Sequence, residues 1–206
     1  MPSFNDFDYF KKDRSWVFDP KDKIGLNEGN LSLSEEFKNT FPNLYGLVSS
    51  ARVTDVELNK DNYKLLSWKL QDGEPCGWFC KFEDAVIKNI SLLPEHELHL
   101  KNIGGIKESF NEPEGSFTNN QNFLFIKSFC ETALGYVNDY YKEVCESENV
   151  EPMAVDDFIR FVVEANGACT VYHLQTKQVY LFSHDHAFDN VTTVPGQPDY
   201  TFHFIN

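Results

Sequence analysis

The apolar residues of this chain fall into short runs that predict two β-hairpins. Segments 63–70 and 77–82 are rich in aromatic and aliphatic side chains, and the sequence Gln-Asp-Gly-Glu-Pro-Cys between them favours a turn. Segments 169–174 and 178–183 lie on either side of Gln-Thr-Lys at 175–177, as in a tight hairpin. The pattern therefore predicts antiparallel strand pairs in both halves of the chain.

Boundary residues predict two short helices. Ser34 can cap a helix over 34–40, and Pro42 is expected to prevent that helix from continuing. Pro94 stands in the first turn of a second helix, which Gly104 and Gly105 are expected to end.

Longer segments are assigned from the period of their apolar residues. Spacings of three and four residues predict helices over 131–145 and 155–165, and compact apolar runs predict strands at 123–128 and 200–205. Residues 1–30 mix aromatic and charged side chains without a clean period, so irregular structure is predicted there.

The order of these elements predicts the fold class. Helices are interspersed with hairpins, and neither regular βαβ units nor a repeat of fixed length is present. We therefore expect an α+β fold with a mixed or antiparallel sheet and helices packed on one side. No low-complexity linker divides the chain, so residues 1–206 are expected to form a single domain.

The net charge of the chain limits the classes of molecule that it is expected to bind. Its 206 residues carry a formal net charge of −14, so phosphate backbones and anionic membranes should repel it. The acidity serves either solubility or the binding of a basic partner. No apolar run resembles a membrane span or a signal peptide, and five scattered cysteines are too few for a disulfide scaffold. We expect a cytoplasmic protein with reduced, mostly buried thiols, no direct contact with nucleic acid and no membrane partner.

A metal site is one hypothesis for the histidines. His184 and His186 are two apart near a predicted strand end and could face the same side, with Asp185 or Asp189 as an acidic ligand. A metal-dependent hydrolase would follow from such a site. Ordinary loop hydrogen bonds are the alternative, and we expect no bound cofactor and no catalytic residue.

Carboxylates and tyrosines are the candidates for contacts with a basic protein. Clustered carboxylates usually remain solvated, but they also complement Lys or Arg on a partner protein. A tyrosine surrounded by carboxylates can contribute much of the binding energy in such a contact. The alternative for the tyrosine is a place in the core. The predicted partner-binding residues are Glu108, Glu112, Glu114, Tyr172, Asp185 and Asp189.

The second half of the chain resembles the SUKH superfamily, which is named partly for Smi/Knr-type cell-wall regulators. The resemblance covers 91–206 and rests on Leu93-Pro94 before a helix, on Ile103-Gly104-Gly105 at its end, on the apolar strand that follows, and on the helix-to-hairpin segment 158–183. Residues 1–90 contain no motif of that family. The resemblance implies an α+β domain, and many bacterial members are immunity proteins that bind and neutralise a polymorphic toxin, often a nuclease.

The function expected on these grounds is binding without catalysis. The leading hypothesis is an immunity protein whose partner is a basic toxin domain. A cytosolic regulatory or scaffold domain of the same fold is the alternative, and the metal-dependent hydrolase that would use His184 and His186 is the second.

Overall fold

The computed structural model of the protein describes residues 4–82, 92–111, 143, 146–147, 149, 158–163, 169–182 and 192–193. Helices in these ranges are α1 (Phe4–Asp13), α2 (Glu35–Thr40), α3 (Pro42–Ser49) and α4 (Pro94–Ile103), with a 3₁₀ turn at Ser15–Val17. Strands are β1 (Ile24–Glu28), β2 (Arg52–Leu58), β3 (Asp61–Lys69), β4 (Pro75–Phe82), β5 (Gly105–Phe110), β6 (Phe158–Val163), β7 (Cys169–His173), β8 (Val179–Phe182) and β9 (Thr192–Thr193). None of the helices in the described ranges is long and apolar enough to cross a membrane.

The strands form two antiparallel sheets, each in the order of the sequence. β1 to β5 make a five-stranded sheet, and β6 to β9 make a smaller one of four strands. The predicted α+β class with antiparallel pairing is confirmed. Both predicted hairpins are confirmed as well, as β3 with β4 and as β7 with β8.

One face of the large sheet packs against helices and against the small sheet. Alternate strand residues point to this face, and Leu66 and Trp78 lie in one cluster with Phe37 of α2 and Leu44 of α3. Residues of α4 join the same cluster, as does Tyr172 of β7. The main core is thus shared between the two sheets.

The helix α1 covers the opposite face of the large sheet. Phe7 and Phe10 of this helix are buried against Leu65 of β3 and Phe79 of β4, with the Phe10 and Phe79 ring centroids 4.9 Å apart. Strand alternation explains the two cores, since Leu65 and Phe79 point away from their neighbours Leu66 and Trp78.

A buried carboxylate connects α1 to the sheet. Asp6 accepts a hydrogen bond from Arg52 Nε at 2.8 Å and another from Ser67 Oγ at 2.6 Å. Arg52 also donates to the carbonyl oxygen of Trp68 at 3.3 Å. These bonds fix α1 on β2 and β3, in addition to the packing of its aromatic rings.

The predicted helix boundaries at Ser34 and Gly104 are confirmed. Ser34 Oγ accepts a hydrogen bond from the Phe37 N–H at 3.1 Å, which caps α2. Gly104 follows α4 with φ of 73°, a conformation that favours glycine. Gly105 then begins β5 immediately, a strand that the sequence pattern did not predict.

Pro42 stops α2 as predicted, and it also begins α3, since proline fits the first turn of a helix. Two other predictions are wrong. Residues 1–30 contain α1 and β1 instead of irregular structure, because the aromatic residues of α1 have a core to pack on. Within the predicted helix at 155–165, residues 158–163 form the strand β6, which pairs with β7. The predictions for 123–128 and 200–205, and nearly all of 131–145, lie outside the described residues.

Candidate functional site

Two of the predicted site residues lie within the described ranges. Glu108 is on β5 and is half-buried, and Tyr172 is on β7. The remaining six lie outside these ranges, so their roles stay predictions: they are Glu112, Glu114, His184, Asp185, His186 and Asp189.

Tyr172 does not lie on the surface as an anchor for a partner. Its side chain is fully buried at 0% exposure, and its hydroxyl lies 3.0 Å from His96 Nδ1. The same hydroxyl accepts a hydrogen bond from the Leu93 N–H at 3.3 Å. Burial raises the pKa of Tyr172, although the Leu93 hydrogen bond opposes this shift. Contrary to its prediction as a contact residue, Tyr172 connects β7 to the start of α4 inside the core.

The two histidines of α4 are buried beside this tyrosine. Burial lowers the pKa of His96 from 6.5 to about 3. Burial also lowers the pKa of His99 to about 3, with a smaller contribution from His96 and an opposing hydrogen bond with the backbone of Gly104. Both imidazoles are therefore neutral near pH 7, and they belong to the core.

The described residues contain no group of three His, Cys, Asp or Glu side chains that could hold a metal ion. Cys76 and Cys80 are buried and take part in no disulfide, as predicted for the thiols, and burial raises the pKa of Cys80. Because the thiolate is the reactive form, burial of Cys80 makes it a poor nucleophile.

Glu108 lies at the edge of the large sheet beside the end of α1. Arg14 Nε donates to the Ser109 carbonyl oxygen at 2.8 Å and lies 3.6 Å from Glu108 Oε1. Burial raises the pKa of Glu108, whereas the Ser109 N–H, the Arg14 charge and a hydrogen bond from Trp16 lower it, and the Asp13 charge raises it. This carboxylate is thus held in place by several neighbours.

Trp16 is the most exposed large apolar side chain among the described residues. It is 69% exposed, and the Arg14 guanidinium carbon lies 5.2 Å from the centre of its ring. Arg14 also forms an ion pair with Asp13 at 2.8 Å. The stacked guanidinium and the hydrogen bond to Glu108 restrain an exposed indole, so its ordering costs a partner little entropy on binding.

Further carboxylates surround Tyr9, which packs against Phe110 with ring centroids 6.2 Å apart. Burial raises the pKa of Tyr9, and the charges of Glu74, Asp13 and Asp72 raise it further. These three carboxylates therefore lie close enough to act on the Tyr9 hydroxyl. We use the name acidic aromatic surface for the set Tyr9, Asp13, Trp16, Asp72, Glu74 and Glu108.

Sequence reasoning found only Glu108 of this set. The other members come from α1, the turn that follows it, and the turn between β3 and β4, which are far apart in the sequence. The available signal was the repeat of aromatic residues every third position at Phe4, Phe7 and Phe10, which fits one helix face. A helix predicted from this repeat would have made Tyr9 and Asp13 candidate site residues.

No family model, no curated protein and no solved structure matches the chain.

Proposed function

We propose that this protein is a non-enzymatic binding protein that neutralises a cognate toxin by direct contact, as an immunity protein does. The toxin would be a basic domain, such as a nuclease that holds phosphate with Lys and Arg. The resemblance to the SUKH superfamily at Leu93-Pro94 and Ile103-Gly104-Gly105 supports this class of function, whereas the helix expected from it at the start of 158–183 is the strand β6. The observation that carries the proposal is the acidic aromatic surface, where exposed Trp16 is held by the Glu108 carboxylate and by Arg14, which is itself paired with Asp13.

The chemistry of this surface fits a basic protein. Tryptophan and tyrosine are frequent among the residues that dominate binding energy, and complementary charge speeds association and suppresses wrong partners. The net charge of −14 extends the negative potential beyond the contact itself. Occupation of the active site of a nuclease, or of a surface beside it, would place these carboxylates against the cations that bind nucleic acid.

Co-expression with the proteins encoded by the genes next to its own tests the proposal. The expected result is a stoichiometric complex that weakens as salt increases, together with protection of the host cell. Trp16→Ala should weaken the complex by at least about tenfold without unfolding the protein, because the indole is largely exposed. Absence of both a complex and protection would refute the proposed function.

Matched charge reversals locate the contact. Asp13→Lys with Glu74→Lys should reduce the association rate at low salt by about tenfold or more. Glu35→Lys with Glu36→Lys changes the net charge equally on α2, which covers the opposite face of the sheet. If both pairs reduce association equally, the effect comes from net charge, and the acidic aromatic surface is not the contact.

A further inference from the structure

The small sheet packs on α4 through apolar side chains and through a buried polar contact. Ile159 of β6, Tyr172 of β7 and Val179 of β8 lie in the main core cluster, which also contains Leu100 and Ile103 of α4. Tyr172 takes part in both kinds of contact, because its ring packs in this cluster and its hydroxyl reaches polar atoms at the start of α4. Movement of β7 away from α4 therefore breaks the hydrogen bonds of this hydroxyl.

These hydrogen bonds determine where the protons lie. The Leu93 N–H donates to the Tyr172 hydroxyl oxygen at 3.3 Å, and His96 Nδ1 lies 3.0 Å from the same oxygen. A hydroxyl has one proton to donate, and a neutral imidazole has one nitrogen that accepts. The hydroxyl proton is assigned to the bond with His96 Nδ1, which leaves the ring proton of His96 on Nε2.

Protonation of His96 is incompatible with this arrangement. The second ring proton would occupy Nδ1, so two hydrogen atoms would lie between Nδ1 and the Tyr172 oxygen. The ring would also carry a charge in the core, where His96 is buried. Burial accordingly lowers the pKa of His96 from 6.5 to about 3. Separation of β7 from α4 relieves both penalties, because it breaks the contact and lets water reach the ring.

The described titratable groups around α4 are neutral in the core or lie nearer the surface. In the core they are Tyr172 of β7, His99 of α4 itself and Cys80 of β4, and burial favours the neutral form of each. Lys81 of β4 is paired with Asp61 at 3.3 Å. The charged side chains of α2 and α4 are exposed or partly exposed, and they are Glu35, Glu36, Lys38, Glu95, Glu97 and Lys101. The buried neighbours of His96 thus share its preference for the neutral form.

We propose that the contact between His96 and Tyr172 is an acid-sensitive switch, which holds the small sheet on α4 at neutral pH and favours its release in acid. This switch does not depend on the partner proposed above. The released state takes up a proton on His96 as the pH falls below 6.5, whereas the docked state stays neutral until about pH 3. Docking is therefore fully stable above pH 6.5 and weakens progressively below it. For one proton, the equilibrium constant for release rises about 25-fold from pH 7 to pH 5.

Hydrogen exchange of backbone amides in the full chain at pH 7 and pH 5 measures the release, once the effect of pH on the chemical exchange step is removed. A small sheet that has lost its apolar contacts is not expected to stay folded, so its amides become open to exchange. Amides of β7 should be less protected than those of β3 at both pH values, and their protection should fall about 25-fold at pH 5. Equal protection of β7 and β3 would mean that both sheets are lost together, which would overturn the proposal.

Two variants separate His96 from its neighbour on the same helix. His96→Leu removes the titrating ring, so protection of β7 should change less than about twofold between pH 7 and pH 5. His99→Leu is the matched control, because His99 is also buried on α4 whereas the Tyr172 hydroxyl lies against His96. This control should keep the change of about 25-fold in β7. The proposal would be wrong if both variants lost the pH dependence of β7 equally.

The assigned proton can be tested in the unmodified protein, without reliance on the folding of a variant. Nuclear magnetic resonance of ¹⁵N-labelled histidine rings at pH 7 distinguishes a proton on Nε2 from a proton on Nδ1. We expect His96 to carry its proton on Nε2, with Nδ1 accepting from Tyr172. A proton on Nδ1 at pH 7 would overturn the proposal, because the contact would then already tolerate a donor at that nitrogen.

Discussion

Replacement of a buried histidine should change how stability depends on pH. His99 is 0% exposed, and burial lowers its pKa from 6.5 to about 3. The unfolded chain therefore takes up a proton as pH falls below 6.5, whereas the folded chain stays neutral until about pH 3. Stability from this group is fully present above pH 6.5 and is lost progressively as pH falls toward 3.

The size of this loss of stability follows from how far the pH lies below the unfolded pKa of 6.5. Below the unfolded pKa each pH unit costs about 1.4 kcal/mol for each histidine, so His99 lowers the free energy of unfolding by about 2 kcal/mol at pH 5. His96, whose pKa is also lowered to about 3, should contribute a similar loss. The two together amount to a large fraction of the roughly 5–15 kcal/mol that stabilises a typical domain.

Urea unfolding monitored by tryptophan fluorescence between pH 7 and pH 5 measures the effect. The His99→Leu variant removes the titrating group from a buried site, so its stability should fall less steeply than that of the unmodified protein, by about 1 kcal/mol per pH unit. Ile103→Val, a conservative change at a buried position of the same helix, should give a curve parallel to the unmodified one. If the His99→Leu curve were also parallel, the reasoning would be wrong.

Two further predictions concern close packing and the bond network of α1. Gly77→Ala should lower the free energy of unfolding by about 2–3 kcal/mol in urea titrations, because its Cβ would meet the Leu66 carbonyl oxygen. Gly46→Ala, with open space on α3, should raise it by about 0.5–1 kcal/mol, and a loss there would contradict this account. Asp6→Asn should cost about 2 kcal/mol in the same assay, since it weakens charge-assisted bonds to an arginine and a serine. Asp8→Asn at an exposed position should leave stability unchanged, and equal losses in both variants would refute the role of the Asp6 bonds.

Local chemistry was sufficient to predict the elements whose boundaries are set by capping and turn residues. Ser34, Pro94 and Gly104 act through neighbours within a few positions, so their effects can be read from the sequence. The hairpin of β3 and β4 was predicted for the same reason, because its turn chemistry and its apolar runs agree.

Elements whose identity depends on distant partners were predicted wrongly or not at all. The segment of β6 contains Ile159, Val162 and Val163, which fit one side of a helix, but β-branched residues also favour strands and pairing with β7 decides the outcome. In β2, Thr54, Val56 and Leu58 alternate with acidic residues, a period of two that is typical of a strand, although β2 is absent from the predicted elements.

The candidate site was the least predictable part. Only Glu108 was identified, and nothing local shows that α1 would lie beside it. The prediction for Tyr172 was wrong because an aromatic residue on an alternating strand can face either side. Its hydroxyl forms hydrogen bonds with Leu93 and His96 inside the core, so it does not need a hydrogen bond from water.

The position of α1 has a consequence for the order in which the molecule assembles. Strands β2, β3 and β4 pair with near neighbours in the sequence, so they close short loops, whereas Phe10 must reach Phe79 across a much longer one. The antiparallel strands β2, β3 and β4 should therefore pair first, and α1 should dock late onto a sheet face that is still exposed to solvent. Because Trp16 and Glu108 come together only at that step, a partly folded chain has the full net charge of −14 but not yet the acidic aromatic surface.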